Sequence, residues 1–296
     1  MASISLRQPL ADDGGVETHE TTLHAALRGQ VEAQTNLGLM YYSGSGVDQS
    51  YTQAYQWFSR AAQRGHGEAQ SNLGVLFLRG HGVDRDHARA RYWLERAGDN
   101  GVPVAQRLAG SMFANGLGGD ADPALAMDWF ERAARGGDVE AKTRLGLMHL
   151  KRRAPDSSYG AARHWFEEAA SEGSLDAQFL LGWMYFSGRG VAKDDEAAIA
   201  WLTSAAGGEN ALADFGLALT HMRRNTQTFD ESSVQTALWM RTAAGQGLAA
   251  AEYDLGLMYM HGRGVVQSRS EGIRWIRRAA VQGLPRALTK IDELGV

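Results

Sequence analysis

The sequence predicts an all-α fold built from repeated helix pairs. Seven of the eight tryptophans recur at spacings of 36, 36, 36, 36, 38 and 36 residues, and a second motif, Ala-x-x-x-Leu-Gly-x-x-Tyr, recurs in phase with them. Glycine is abundant, with 36 residues, and proline is scarce, with 5, which indicates many helix ends rather than proline-rich linkers. A fixed period of this length is typical of repeat architectures. The series consists of Trp57, Trp93, Trp129, Trp165, Trp201, Trp239 and Trp275.

The second motif predicts the first helix of each repeat. Ala33, Leu37 and Tyr41 are spaced i, i+4 and i+8, which places them on one helical face. Gly38 on the same face lets a neighbouring helix approach closely. The predicted repeats start at residues 33, 69, 105, 141, 177, 211 and 251, so one deletion and one insertion displace an otherwise constant period of 36 residues.

A Gly-x-Gly-Val segment follows the first helix in four repeats. Glycine adopts the left-handed conformation of a helix C-cap without a side-chain penalty, so we interpret the segment as a turn. A dinucleotide-binding glycine loop follows a strand, whereas these copies lie between helices. The copies are 44–47, 80–83, 188–191 and 262–265.

The second helix carries the repeat tryptophan and, four residues later, a pair of small residues. Trp57 and the pair Ala61-Ala62 have the 3–4 spacing of an amphipathic helix. We expect each repeat tryptophan to pack between helices, with Trp129 as the typical case. Asp84 or Asp86 is expected to cap this helix in the second repeat rather than to bind a metal with nearby histidines.

The two ends of the chain are expected to differ from the middle. Residues 1–20 are predicted to form a flexible tail, and residues 21–296 a single repeat domain. Terminal repeats need a polar outer face. We therefore predict half a repeat over 21–32 and a capping helix at about 285–294.

Both motifs, the glycine turn and the period of 36 resemble the Sel-one-like repeat (SLR) family, whose members are related to tetratricopeptide repeats. The resemblance covers roughly residues 33–286. It implies a right-handed α/α superhelix, or solenoid, of about seven helix pairs. It also implies a non-catalytic scaffold or adaptor that binds a peptide or protein in a concave groove, as in many bacterial members. An alternative role that it implies is a bacterial immunity or inhibitor protein that occludes a toxin or enzyme.

Other function classes find little support in the sequence. Cysteine is absent, and no catalytic spacing stands out, so we predict no enzyme activity, no cofactor and no metal site. A net charge of −4 argues against a general nucleic-acid binder. No apolar stretch of ~20 residues is present, so no membrane insertion is expected. We expect a cytoplasmic location, or a periplasmic one if a signal peptide has been removed.

The candidate partner-binding residues follow from the family geometry, in which the first helices line the concave face. The third, seventh, tenth and eleventh residues of each repeat would then line the groove. Phe179, Trp183 and Phe186 form an aromatic stripe there, and Trp183 is the one tryptophan outside the series. The stripe serves either as a partner anchor or as packing between repeats. The full candidate set is Tyr42, Leu78, Phe179, Trp183, Phe186, Tyr253 and Met260.

Two basic segments leave a further question open. Residues 151–153, Lys-Arg-Arg, replace the glycine turn of the fourth repeat. Arg274, Arg277 and Arg278 share one face of a helix near the end of the chain. Each group either binds an acidic partner or forms a solvated face.

Overall fold

A computed structural model describes residues 18–151, 157–206, 210–224 and 231–295, and the regular secondary structure in these ranges is entirely helical. The all-α prediction is confirmed. The helices are α1 (His19–Leu27), α2 (Val31–Ser43), α3 (Tyr51–Gln63), α4 (Gly67–Arg79), α5 (His87–Asp99), α6 (Pro103–Asn115), α7 (Pro123–Arg135), α8 (Val139–Lys151), α9 (Ser157–Ser171), α10 (Leu175–Ser187), α11 (Asp195–Ala205), α12 (Ala211–Arg224), α13 (Glu231–Gly245), α14 (Ala249–His261), α15 (Arg269–Val281) and α16 (Pro285–Leu294).

The chain divides into an N-terminal body, residues 1–145, and a C-terminal body, residues 146–296. Consecutive helices pack on one another from α1 to α7 in the N-terminal body and from α9 to α16 in the C-terminal body. The even-numbered helices are the first helices of the repeats, and the odd-numbered helices from α3 to α15 carry the repeat tryptophans. Consecutive packing of this kind is the arrangement of a solenoid.

In every repeat except the sixth, the centre is the contact between the motif glycine and the residue that follows the tryptophan. A Cβ atom on Gly38 would lie 2.5 Å from the ring of Phe58, and one on Gly74 would lie 2.7 Å from Leu94. Phe58 and Leu94 are fully buried. The glycine therefore lets the second helix approach, as its place in the motif predicts, and the neighbour of the tryptophan fills the core.

The repeat tryptophans differ in burial, so Trp129 is not typical of the set. Trp129 is 5% exposed and Trp57 is 6% exposed, whereas the other five are half-buried. A Cβ atom on Gly98 would lie 2.6 Å from the Trp129 ring, because the indole rests directly on the α5 backbone. The Arg132 guanidinium covers the ring at 4.1 Å from its centroid.

The helix ends are formed as the turn motif predicts. Gly44 has a φ of 76°, and its N–H donates to the Met40 carbonyl oxygen at 2.8 Å. Gly82 is also left-handed, and it packs directly against the Tyr51 carbonyl of the preceding second helix, where a side chain would collide. Asp86 is the N-cap of α5 and accepts a hydrogen bond from the Arg89 N–H at 2.9 Å. Its predicted capping role is confirmed.

A buried polar residue at the second position of the motif links consecutive repeats. The Nε2 of Gln34 donates to the Ala26 carbonyl oxygen at 3.1 Å, and Gln70 donates to Ala62 at 3.1 Å. Gln106 makes the same bond to Gly98 at 2.8 Å. Each bond reaches a carbonyl at the end of the preceding second helix, and that carbonyl also accepts the N–H of the left-handed glycine three residues later. The glutamines recur at the same position of the repeat, but the periodicity of the apolar residues does not predict that they form hydrogen bonds between repeats.

The predicted start of the sixth repeat at residue 211 is wrong by two residues. Ala213, Leu217 and Ala218 are the buried residues in the Ala, Leu and Gly positions, while Ala211 is half-buried in the first turn of α12. The interval from Ala177 to Ala213 is 36 residues, so the predicted deletion does not exist. Ala218 in place of the motif glycine conceals this register in the sequence.

Helix α1 is the first described element of the chain, and helix α16 is the last. Residues 1–17 of the predicted tail lie outside the described residues, while Thr18 caps α1 and His19 and Glu20 form its first turn. Ala287 of α16 is fully buried and lies 36 residues after Ala251, so α16 has the register of a first helix. Arg152 and Arg153 of the fourth repeat also lie outside the described residues.

Candidate partner-binding site

In the first two repeats, the third and seventh residues do not line an open surface. Thr35, Leu39 and Val75 are nearly fully buried. The Thr35 hydroxyl lies 3.0 Å from Nδ1 of His66, the N-cap residue of α4. These positions therefore face the next first helix, and their expected place in a groove is wrong for the first two repeats.

The tenth residues of the same repeats remain partly accessible. Leu78 is half-buried, and so is Tyr42, whose hydroxyl accepts a hydrogen bond from Arg79 Nη1 at 3.0 Å. The same hydroxyl lies 3.2 Å from His81 Nδ1, and the Tyr51 ring stacks on His81 with centroids 4.4 Å apart. Burial, assisted by the charge of Arg79, lowers the pKa of His81. Tyr42 therefore connects α2 to the glycine turn of the second repeat.

The aromatic stripe on α10 forms a continuous ridge, which we call the aromatic ridge: Phe179, Trp183 and Phe186. Its ring centroids are 6.4 Å apart between Phe179 and Trp183 and 5.1 Å apart between Trp183 and Phe186. The rings are tilted by 34° and 35°, and all three side chains are half-buried. Centroid distances in this range are favourable for aromatic pairs.

The two ends of the aromatic ridge are fixed by the second helix of its own repeat and by the first helix of the next repeat. Phe179 and Phe186 pack against the buried cluster that contains Leu202 of α11 and Leu217 of α12. The Arg223 guanidinium lies 4.2 Å from the Phe186 centroid and donates to the Phe186 carbonyl oxygen at 2.6 Å. Arg223 also pairs with Asp195. Packing between repeats thus accounts for the two phenylalanines, while Trp183 lies between them with part of its ring accessible.

Tyr253 and Met260 belong to a different part of the C-terminal body. Both pack against the cluster of Ile276, Ala279 and Ala287, which joins α14 to α15 and α16. A Cβ atom on Gly272 would lie 2.6 Å from Met260 Cγ, and the Arg286 guanidinium lies 5.2 Å from the Tyr253 centroid. The structure therefore places them in the packing of the last helices and does not bring them to the aromatic ridge.

Two carboxyl groups near these helices are buried enough to shift in pKa. Burial raises the pKa of Asp214, against the opposing hydrogen bond from Gln246 Nε2, which lies 3.0 Å from the carboxylate. Burial also raises the pKa of Asp254, against the opposing charge of Arg286. Asp214 occupies the motif position that is glutamine in four other repeats. It cannot donate the hydrogen bond that those glutamines donate unless it is protonated.

The described residues include no group of three or more histidine, aspartate or glutamate side chains placed to hold a metal ion. No helix in the described ranges combines the length and the apolar character needed to cross a membrane.

Comparisons with known proteins agree with this architecture. The Sel1 repeat profile matches residues 31–66, 67–102, 103–138, 139–174, 175–209 and 249–284. The unmatched segment between the last two matches contains the sixth repeat, in which Ala218 replaces the motif glycine. A comparison with curated proteins found no match.

Solved structures include similar chains. A Sel1 repeat protein from Oxalobacter formigenes is 31% identical, with a TM-score of 0.72 over 93% of this chain and 79% of that one. A protective antigen of uropathogenic Escherichia coli with an SLR fold is 30% identical, with a TM-score of 0.82 over 91% of this chain. The present chain spans 57% of the length of that antigen. With six matched repeats over most of its length, the chain belongs to the Sel1 repeat family.

Proposed function

We propose that this protein is a non-catalytic scaffold that binds a protein or peptide partner on its first-helix face, with the aromatic ridge as anchor. Stacked repeats offer an extended surface, which suits a polypeptide better than a small molecule. The observation that carries the proposal is the partly accessible ring of Trp183 between two fixed phenylalanines.

Comparison with the same position in other repeats supports an anchor role for Trp183. This seventh position is nearly fully buried in the first two repeats, which have Leu39 and Val75, and half-buried in the other later ones, which have small or aliphatic residues in place of the indole. An indole is larger than any of these side chains, and its ring remains half-buried in α10. Rigid aromatic side chains of this kind dominate the energy of many interfaces.

The test is capture of a partner from the native organism with the tagged protein, followed by mass spectrometry. The variants are Trp183→Ala and, as matched control, Tyr92→Ala, which removes a 51% exposed aromatic ring from α5. A hot-spot anchor contributes ~2 kcal/mol or more, so the Trp183 variant should lose its partner while the Tyr92 variant retains it. Equal recovery of the same partner by both variants would show that the aromatic ridge serves only in packing between repeats and binds no partner.

If the captured partner is an enzyme, its activity in the complex distinguishes a scaffold from an inhibitor. A scaffold leaves the activity of a bound enzyme intact, whereas an occluding protein abolishes it at stoichiometric ratio. Loss of that activity on addition of the wild-type chain would contradict the scaffold role and favour the inhibitor role.

A further inference from the structure

The charge on the second helices reverses along the chain at one repeat position. The residue two places after the repeat tryptophan is acidic in α5, α7 and α9 and becomes arginine in α13 and α15. The full row is Ser59, Glu95, Glu131, Glu167, Thr203, Arg241 and Arg277. Since repeats with either charge form the same helix, the fold does not require arginine at this position.

Four arginines define what we call the arginine patch: Arg241 of α13 with Arg274, Arg277 and Arg278 of α15. All four are exposed, with 70% of the Arg274 side chain and 47% of the Arg278 side chain accessible. The two helices are the second helices of consecutive repeats and border one buried cluster: Ala243 and Ala244 of α13 belong to it, and Trp275 of α15 packs against it.

The positive charge of the arginine patch is only partly balanced. Arg274 lies 3.5 Å from Glu271, and Arg278 pairs at 2.8 Å with the buried Glu252 while its guanidinium covers the Trp275 ring. Among the described residues, Arg241 and Arg277 have no ion pair. Like charges three and four residues apart on a helix repel each other. The arrangement therefore costs stability that a partner of opposite charge would recover.

The surroundings favour a protein partner over a nucleic acid. Leu238 of α13 is 42% exposed and Val281 of α15 is 89% exposed, so apolar side chains accompany the arginines on the same two helices. Arginine next to apolar and aromatic groups is typical of protein interfaces. A nucleic-acid surface is more uniformly basic, and the whole chain has a net charge of −4.

We propose that the arginine patch docks an acidic segment of a partner protein, whose carboxylates pair with Arg241, Arg274 and Arg277. Arginine suits this role because its planar guanidinium binds a carboxylate through two parallel hydrogen bonds. The surface lies on second helices, so it is distinct from the aromatic ridge and does not depend on the proposed function.

The test uses a fluorescein-labelled oligoglutamate peptide and fluorescence anisotropy on the full chain. Arg274→Glu/Arg277→Glu reverses two charges in the arginine patch, and Arg85→Glu/Arg135→Glu makes the same change in net charge at exposed sites in the N-terminal body. Circular dichroism establishes that both variants fold. We expect the first variant to weaken binding by ~10-fold or more and the control by less than ~2-fold, and added salt to weaken binding to the wild type.

Equal weakening by both variants would mean that net charge alone attracts the peptide, and the proposal would be wrong. Tighter binding of a single-stranded oligonucleotide or of phosphatidylserine vesicles than of the peptide, lost in Arg274→Glu/Arg277→Glu, would reassign the surface and also overturn it. Trp183→Ala should bind the peptide like wild type. Peptide binding therefore tests the arginine patch separately from the aromatic ridge, which partner capture tests.

Discussion

At the scale of single residues, the repeat depends on places where a side chain cannot fit. Gly38 and its counterparts leave space for the buried residue that follows each tryptophan, and close packing makes such contacts sensitive to one added methyl group. Asp214 shows a different local cost, a carboxylate buried at a motif position where four other repeats place the uncharged amide of glutamine. Both features lead to measurable expectations.

Gly38→Ala should lower the free energy of unfolding by ~1–3 kcal/mol, because its methyl group would overlap the Phe58 ring. Gly160→Ala is the matched control: this glycine lies in α9, and a Cβ there meets nothing within 4 Å. The control should gain up to ~1 kcal/mol from helix propensity. Urea unfolding of both variants measures the difference, and equal effects would refute the close contact.

Asp214→Asn should stabilise the protein at neutral pH by roughly 1 kcal/mol, since it removes a buried charge and keeps the acceptor for Gln246. A raised folded-state pKa means that the folded chain binds the proton more tightly, so the cost of the carboxylate disappears as the pH falls through that pKa. The gain should therefore shrink towards about pH 4. Asp292→Asn, at an exposed site, serves as control in the same denaturant titrations. A gain that does not depend on pH would contradict this explanation.

At the scale of helices, stability is distributed unevenly among the repeats. Trp129→Ala should lower the melting temperature more than Trp93→Ala, because Trp129 is 5% exposed and rests on Gly98, while Trp93 is half-buried. Core aromatic truncations cost ~3–5 kcal/mol. Differential scanning calorimetry of the two variants provides the comparison. Equal shifts would mean that the burial difference has no energetic consequence.

The sequence predicts the helices well because their determinants are local. The spacing of apolar residues along each helix, the glycine turns and the Asp86 cap depend on residues a few positions apart. The rotation of each first helix against the next is decided by side-chain packing across repeats. For that reason the expected exposure of Thr35 and Leu39 was wrong. The spacing of its three aromatic residues predicts the aromatic ridge. The packing of its phenylalanines on Leu202 and Leu217 depends on contacts between helices that this spacing does not determine.

At the scale of the whole molecule, the repeats within each body contact their neighbours through one recurring set of groups. The motif glutamines, the left-handed glycines and the core residues after the tryptophans all join adjacent elements. In such an architecture stability is approximately a sum of local and nearest-neighbour contributions. The helix faces that this packing does not use are then available for partners, and the two proposed surfaces lie on different faces.

The most direct test of the central claim is hydrogen–deuterium exchange of the protein with and without a captured partner. The account predicts slower exchange in peptides that cover α10, Leu175–Ser187, which carries the aromatic ridge. Peptides from α5, which carries the exposed Tyr92, should exchange equally in both samples. Partner-dependent protection that leaves α10 unchanged would contradict binding at the aromatic ridge.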